Sequence, residues 1–195
     1  MTPASLGPYA VVRRLGRGGM AEVWLATAHG ASGFERRVAI KTLLPELQGE
    51  PALERALVHE ARLAGRLAHR NLVAVLGLGV DQGVTYVVME YVDGGDLDTL
   101  TRTALLPLPL ALLVAEEVAL GLGYLHGAAD ERGLPLGLVH RDVSPSNLLV
   151  SRAGEVKLGD FGVAKATALA DRTGGTRKGK YAYMSPEQLA GEPLT

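Results

Sequence analysis

The stretch His140-Arg141-Asp142-Val143-Ser144-Pro145-Ser146-Asn147 is the most informative segment of this 195-residue chain, and Asp160-Phe161-Gly162 begins thirteen residues after its last residue. Residues 148–150 and 155–158, which lie between the two motifs, are apolar enough for two short strands. A hairpin of this size would bring Asn147 and Asp160 back to the same end. Carboxylate and carboxamide oxygens are the ligands that Mg2+ prefers. The sequence therefore predicts a cation held by Asn147 and Asp160, with Asp142 free to receive a proton.

Together the two motifs resemble the catalytic loop and the metal loop of protein kinases, H-R-D-x-x-x-x-N and D-F-G. Either motif alone would also suit a polar surface loop or an ordinary turn, but their order and spacing favour the kinase interpretation. The resemblance runs from about Tyr9 to the end of the chain through six motifs. Residues 18–23 and 184–188 are similar to bacterial serine/threonine kinases.

The resemblance implies an α+β, protein kinase-like fold with two lobes. Residues 1–90 would form the N-lobe, a five-stranded antiparallel sheet with one helix. Residues 91–195 would form a mostly helical C-lobe, truncated because the chain ends before the last helices of a kinase domain. From that ending we expect a fragment with an exposed apolar patch, low solubility and weak or no activity.

The glycine-rich segment Gly16–Val23 separates two predicted strands, and its backbone N–H groups could approach phosphate oxygens closely. A glycine-rich hairpin turn is the alternative. The next strand contains Val38-Ala39-Ile40-Lys41, which resembles the kinase motif V-A-I-K. The resemblance implies that Lys41 holds the α- and β-phosphates and pairs with a carboxylate of the following helix, predicted at 51–67. Glu60 lies nineteen residues after Lys41 and nine before the motif His69-Arg70-Asn71-Leu72-Val73, and because both spacings resemble those of kinases, Glu60 is favoured over Glu54 as that partner.

Residues 72–79 and 84–90 are predicted to be two further strands, followed by a hinge at Glu90-Tyr91-Val92. By resemblance, the hinge backbone binds adenine and Met89 lies at the back of the pocket. Asp96 would contact ribose or a basic substrate residue. The ATP contacts implied by the resemblance are Leu15, Gly16, Gly18, Val23, Ala39, Lys41, Met89, Glu90, Val92, Asp96 and Leu149.

The implied reaction is transfer of the γ-phosphoryl group of ATP, with Mg2+, to a serine or threonine hydroxyl of a protein. Asp142 would orient and deprotonate that hydroxyl. The alternative is a nucleotide-binding, pseudokinase-like or inactive regulatory module. A small-molecule kinase is disfavoured because Met184-Ser185-Pro186-Glu187 resembles a peptide-docking segment.

Three further predictions concern the segment around residues 165–180. Thr176, nine residues before Ser185, is the predicted activating phosphosite, and Thr173 is the second choice. Arg141 would be a buried cation to which the phosphate could bind. The family usually has Lys where this chain has Ser144 and Thr where it has Lys180. We therefore predict that these two side chains have exchanged roles beside Asp142.

Composition limits the remaining possibilities. A net charge of -1 gives no indication of a nucleic-acid partner, and the lack of cysteine excludes disulfides and thiolate metal sites. No secretory leader is visible at the N-terminus, so we expect a cytoplasmic protein. Residues 105–125 are long and apolar enough to span a membrane, but Pro107, Pro109 and Glu116-Glu117 favour a helix buried in a protein core.

Overall fold

The computed structural model describes residues 3–160 and 181–192. The described residues form two compact units. The first contains residues 3–66 and 74–91, and the second contains residues 67–73, 92–160 and 181–192. The predicted division at residue 90 stays a prediction.

The first unit is built on one antiparallel sheet with the strand order β1-β2-β3-β4-β6-β5. Five of the six strands were predicted, and the sixth is a two-residue strand that pairs with the start of β2. That strand was missed because two residues are too few to show an alternating pattern, although its Leu6 is buried in the core. The strands are β1 (Ser5–Leu6), β2 (Tyr9–Arg17), β3 (Ala21–His29), β4 (Glu35–Leu43), β5 (Val75–Asp81) and β6 (Val84–Glu90).

Each face of this sheet carries its own apolar cluster. On one face, buried residues from three strands pack with Leu6: Trp24, Ala26, Val38, Ile40, Tyr86 and Val88. On the other face, Leu57 and Ala61 of helix α1 (Pro51–Ala64) pack against Leu43 and Val87. Proline at the first helical position and an alanine-rich interior favour this helix. It ends at Ala64, three residues earlier than predicted, and the backbone N–H of Gly65 caps the last turn.

A two-residue turn joins β5 to β6, and both of its residues have positive φ angles, 49° for Gln82 and 82° for Gly83. This is the turn chemistry of a tight hairpin. The Asp81 carboxylate before the turn accepts a 2.8 Å hydrogen bond from the Gly7 backbone N–H. Because β1 and β5 are the two outer strands, this bond links the two edges of the sheet.

Within the residues that the structure describes, the second unit contains a small antiparallel sheet, β7-β8-β9, and three helices. Helix α2 packs against the 3-10 turn Pro145–Asn147, and α3 packs against β9. Leu72 and Val73 were predicted to begin strand β5. They pair instead with Leu158 at the end of β9, and β5 begins at Val75. The elements are β7 (Gly94–Asp96), α2 (Leu97–Thr103), α3 (Leu108–His126), β8 (Leu148–Ser151), β9 (Val156–Leu158) and α4 (Pro186–Ala190).

Helix α3 is less buried than the sequence suggested. Val118, Gly121 and Leu125 are buried, whereas Leu112 is 61% exposed and several neighbouring leucines are also exposed. By length and composition α3 could cross a membrane. An 18-residue stretch of this helix has a mean hydropathy of 1.6, and only 22% of that stretch is buried. Its polar contacts within the unit favour a helix of a folded domain. Tyr124 accepts a hydrogen bond from the Ala68 N–H, and Glu117 forms an ion pair with Arg70.

Candidate functional site

The β8–β9 hairpin connects Asn147, the last residue of the first motif, with Asp160, as predicted. Leu148 pairs with Leu158 at the open end of the hairpin. One residue further along, the Gly159 backbone N–H donates a 2.9 Å hydrogen bond to the Asn147 carbonyl. Asn147 and Asp160 therefore lie at the same end of the hairpin.

The Asn147 side chain binds Asp142 twice. Its Nδ2 group donates to the Asp142 backbone carbonyl at 2.7 Å and to the Asp142 Oδ2 at 2.8 Å. The carboxylate that is expected to receive a proton is therefore held by Asn147 through its Oδ2. Because Nδ2 is used in this way, Oδ1 is the Asn147 atom that could bind a cation. Oxygen ligands from Asn147 and Asp160 suit Mg2+, which takes few ligands from the protein itself.

His140, whose own role was not predicted, is 1% exposed and contacts the backbone of Asp142 and of Gly159, the residue before Asp160. Its Nδ1 accepts a hydrogen bond from the Asp142 N–H at 3.3 Å, and its Nε2 lies 3.2 Å from the Gly159 carbonyl. An imidazole that accepts at Nδ1 and carries its proton on Nε2 satisfies both contacts. His140 thus holds the backbone on either side of the site. Its position as the first residue of the quoted motif was the available indication.

Two of the site's residues adopt a left-handed backbone, with φ angles of 65° for Arg141 and 60° for Asp160. This conformation costs a non-glycine residue about 1–3 kcal/mol and persists where surrounding contacts enforce it. Both residues are next to the contacts made by His140. The Arg141 side chain, expected to be buried, belongs to a residue that is only half-buried.

Asn71 supports β9 from the side opposite β8. It is 2% exposed, its carbonyl accepts the Leu158 N–H at 2.8 Å, and its Nδ2 donates to the Val156 carbonyl at 2.9 Å. Nδ2 also donates to Glu117 of α3. Among the described residues, no donor reaches the buried Asn71 Oδ1. In the sequence analysis the motif around Asn71 served only to measure spacing. No local pattern shows that Asn71 bonds to a strand 85 residues away.

In the first unit, the Lys41 Nζ lies 2.9 Å from the Glu60 Oε1, which confirms the predicted ion pair. Both side chains are nearly buried, with exposures of 13% and 12%. The rival, Glu54, accepts a hydrogen bond from the Gly49 N–H instead. Val23 in β3 pairs with Lys41 in β4. Ala39, two residues before Lys41 on the same strand, pairs with Met89 in β6. These four residues therefore share one face of the sheet.

The remaining predicted ATP contacts are placed as follows. Leu15 is 36% exposed and lies at an irregularity in β2, and Gly16 is the next residue along that strand. The Glu90 N–H donates to the Ala74 carbonyl at 2.9 Å. Leu149 is half-buried in β8, opposite Lys157 and Asp96. The Gly18 N–H donates to the Ala21 carbonyl. Val92 is the first residue of the segment 92–160 of the second unit.

Asp96 has a structural role that the sequence did not suggest. It caps the N-terminus of α2, where its two carboxylate oxygens accept the N–H and the hydroxyl of Thr99, each at 2.8 Å. Aspartate at this position is a common helix cap. Contact with ribose or substrate stays a prediction.

Three of the predicted residues, Lys180, Thr173 and Thr176, lie outside the described residues. Ser144 is 4% exposed, and its hydroxyl is 3.2 Å from the Ser146 hydroxyl. The exchange of roles between Ser144 and Lys180 therefore stays a prediction.

The segment Met184–Glu187, which resembles a peptide-docking segment, leads into the short helix α4. Ser185 caps it in a reciprocal arrangement with Gln188, the capping box. Glu187 is exposed, and hydrogen bonding, first from the Ser185 side chain and then from the backbone, lowers its pKa. The Gln188 Nε2 donates a 2.8 Å hydrogen bond to the Arg141 carbonyl, a contact that the sequence did not predict.

Comparison with known proteins gives consistent similarities. The family model "Protein kinase domain" matches residues 9–195. Tyrosine-protein kinase MasK of Myxococcus xanthus is 47% identical over 194 residues, which cover 96% of this chain and 30% of that protein. Serine/threonine-protein kinase PknH of Mycobacterium tuberculosis is 37% identical over 191 residues, which cover 97% of this chain and 29% of that protein.

The crystal structure of the Mycobacterium tuberculosis PknI kinase domain matches with a TM-score of 0.69 and 30% identity, covering 97% of this chain and 68% of that domain. The chain thus spans about 30% of the length of the curated relatives it matches.

Proposed function

Because the chain belongs to the protein kinase family, we propose that it transfers the γ-phosphoryl group of ATP to serine and threonine hydroxyls of a protein, with Mg2+ as cofactor. The observation that carries this proposal is the double hydrogen bond from Asn147 to Asp142, next to the backbone bond that brings Asp160 to the same end of the hairpin. The proton acceptor and the two cation ligands are thereby connected.

In this proposal Asp142 orients the substrate hydroxyl and takes its proton. The Asn147 Nδ2 fixes the Asp142 Oδ2, which limits rotation of the carboxylate. Such positioning accounts for a large part of catalysis in phosphoryl transfer. Asn147 and Asp160 would hold Mg2+, which supplies positive charge to the phosphates when it is bound.

Lys41 would bind the α- and β-phosphates. Its ion pair with Glu60 fixes the direction of a long, flexible side chain. In the glycine-rich segment, a Cβ added to Gly16 or Gly19 would meet no atom within 4 Å. Packing of the chain itself therefore does not require glycine at these two positions, which agrees with glycines retained for close approach of a phosphate.

Serine and threonine are proposed as acceptors because residues 18–23 and 184–188 resemble those of bacterial serine/threonine kinases, and relatives such as PknH carry that name. Tyrosine is the second candidate, favoured by the 47% identity to a protein named as a tyrosine kinase. The cytoplasm is the proposed location, since the reaction needs ATP.

The test is phosphate transfer by the full-length protein from radiolabelled ATP with Mg2+, followed by phosphoamino-acid analysis. We expect phosphoserine and phosphothreonine, and loss of both in Asp142→Asn. The control is Asp98→Asn, which removes only an exposed ion pair with Arg102. Phosphotyrosine alone would establish the second candidate. ATP binding without transfer would favour the pseudokinase-like alternative and contradict the proposal.

A further inference from the structure

Gln188 connects two segments that are 47 residues apart in sequence. It is the third residue of α4, and its Oε1 accepts the Ser185 N–H at 3.1 Å as part of the helix cap. Its Nε2 donates to the Arg141 carbonyl at 2.8 Å. One half-buried side chain thus closes the cap of α4 and also reaches the loop that carries Asp142.

The acceptor of this bond, the Arg141 carbonyl, belongs to the peptide group that joins Arg141 to the proposed base Asp142. Arg141 has a φ angle of 65°, and it is placed between the buried His140 and the proposed base Asp142. Rotation of the peptide that joins Arg141 to Asp142 would move both the Arg141 carbonyl and the Asp142 N–H, which donates to His140. In residues 3–160 and 181–192, Gln188 is the only donor that reaches this carbonyl.

A side chain that accepts the Ser185 N–H and also donates to the Arg141 carbonyl must be an amide. A carboxamide offers an acceptor oxygen and donor hydrogens on the same group, whereas an ionised carboxylate only accepts. Glutamate suits the same position of a capping box as well as glutamine does. The helix cap alone therefore does not require glutamine, but the bond to the Arg141 carbonyl does.

We propose that Gln188 is a positioning residue that holds the Arg141 carbonyl and thereby orients the Asp142 carboxylate. The segment Met184–Gln188 would then be coupled to the proton acceptor through one hydrogen bond. This inference rests on the proposed function, because it assigns Gln188 a role in the reaction that Asp142 would carry out.

Two substitutions separate the functions of the side chain. Gln188→Glu keeps the acceptor for the Ser185 N–H and loses the donor to Arg141. Gln188→Met keeps a similar length, loses both groups and adds no charge. The matched control is Gln48→Glu in the first unit, where an Nε2 also donates to a backbone carbonyl, that of Leu43 at 3.2 Å.

The experiment measures kcat and KM of the full-length protein with a peptide substrate and ATP, and hydrogen exchange of the amides in residues 138–147. We expect Gln188→Glu and Gln188→Met each to lower kcat about tenfold, the effect of losing one hydrogen bond to a partly buried acceptor. The KM for ATP should stay within about twofold, and exchange at the Asp142 amide should accelerate. Gln48→Glu should change neither measurement.

The two readouts distinguish the possible failures. If Gln188→Met keeps the kcat of the unsubstituted protein while Gln188→Glu does not, the added charge caused the loss and the positioning role is wrong. An unchanged exchange rate at Asp142 in both variants would also overturn it. If the unsubstituted protein transfers no phosphate, the proposed function has failed, and the exchange rates alone then decide whether Gln188 holds the loop.

Discussion

Glu60→Gln tests how strongly the ion pair of the first unit stabilises its fold. The substitution removes the negative charge but keeps the size of the side chain and one acceptor oxygen. Lys41 then loses this partner at a position where only 13% of its side chain is exposed. A positive charge that is mostly removed from water is expensive unless an anion compensates it.

The magnitude follows from the geometry. Two unit charges at the 2.9 Å separation of Nζ and Oε1 attract by about 6 kcal/mol at an effective dielectric constant near 20, before desolvation is subtracted. Removing one partner of a buried pair typically costs about 3–5 kcal/mol. Because glutamine keeps a hydrogen-bond acceptor and the pair is not fully buried, we expect the free energy of unfolding to fall by about 2 kcal/mol.

The assay is urea denaturation followed by tryptophan fluorescence. Trp24 is the single tryptophan of the chain and is 3% exposed in the sheet core, so its emission reports unfolding of the first unit. Glu54→Gln on the same helix is the matched control, since Glu54 accepts only an exposed hydrogen bond from Gly49. Its effect should stay within about 0.5 kcal/mol.

A double-mutant cycle with Lys41→Met separates the pair from the individual side chains. We expect a coupling energy of about 2 kcal/mol between the two positions. Additive effects of Lys41→Met and Glu60→Gln, or equal losses in Glu60→Gln and Glu54→Gln, would refute the assigned stabilisation.

Four further outcomes are expected. Asp160→Asn should lower phosphate transfer at least a hundredfold by weakening the cation site, and activity regained at saturating Mn2+ would support that cause; near-normal turnover at ordinary Mg2+ would contradict it. Mass spectrometry of the autophosphorylated protein should find phosphate on Thr176, and an unmodified Thr176 in active protein would exclude it as the activating site. Lys180→Thr should cripple turnover and Ser144→Lys should restore much of it, so a double variant no better than the single one would show that the two positions are uncoupled. Burial raises the pKa of Tyr86, so the stability that depends on its neutral hydroxyl is complete below pH 10 and is lost as pH rises through the raised pKa; Tyr86→Phe should remove this alkaline loss in denaturation curves.

The predictable part of the fold consists of local patterns. Alternating apolar residues and the Gln82-Gly83 turn placed β6 correctly at both ends, and proline followed by an alanine-rich run placed the start of α1. Element ends were less accurate where long-range pairing decides them. Leu72 and Val73 have strand-like side chains, but their partner is Leu158, and no local pattern contains that information.

The candidate site also has a part that local sequence predicts and a part that long-range contacts decide. The residue types and spacings from Asn147 to Asp160 were enough to predict that these two residues lie at the same end of a hairpin, because a short hairpin has few ways to close. The Lys41–Glu60 pair was predicted from spacings that the chain shares with kinases, and the ion pair confirms it.

The contacts that fix the orientation of these groups depend on tertiary structure. Gln188 reaches Arg141, Asn71 reaches β9 and Glu117, and His140 contacts the Gly159 carbonyl next to Asp160. Hydrogen bonds to backbone carbonyls are hard to predict from sequence, because every residue type supplies the same acceptor. The sequence therefore specifies the reacting groups and their order along the chain, while the packing of distant segments sets the angles at which those groups are held.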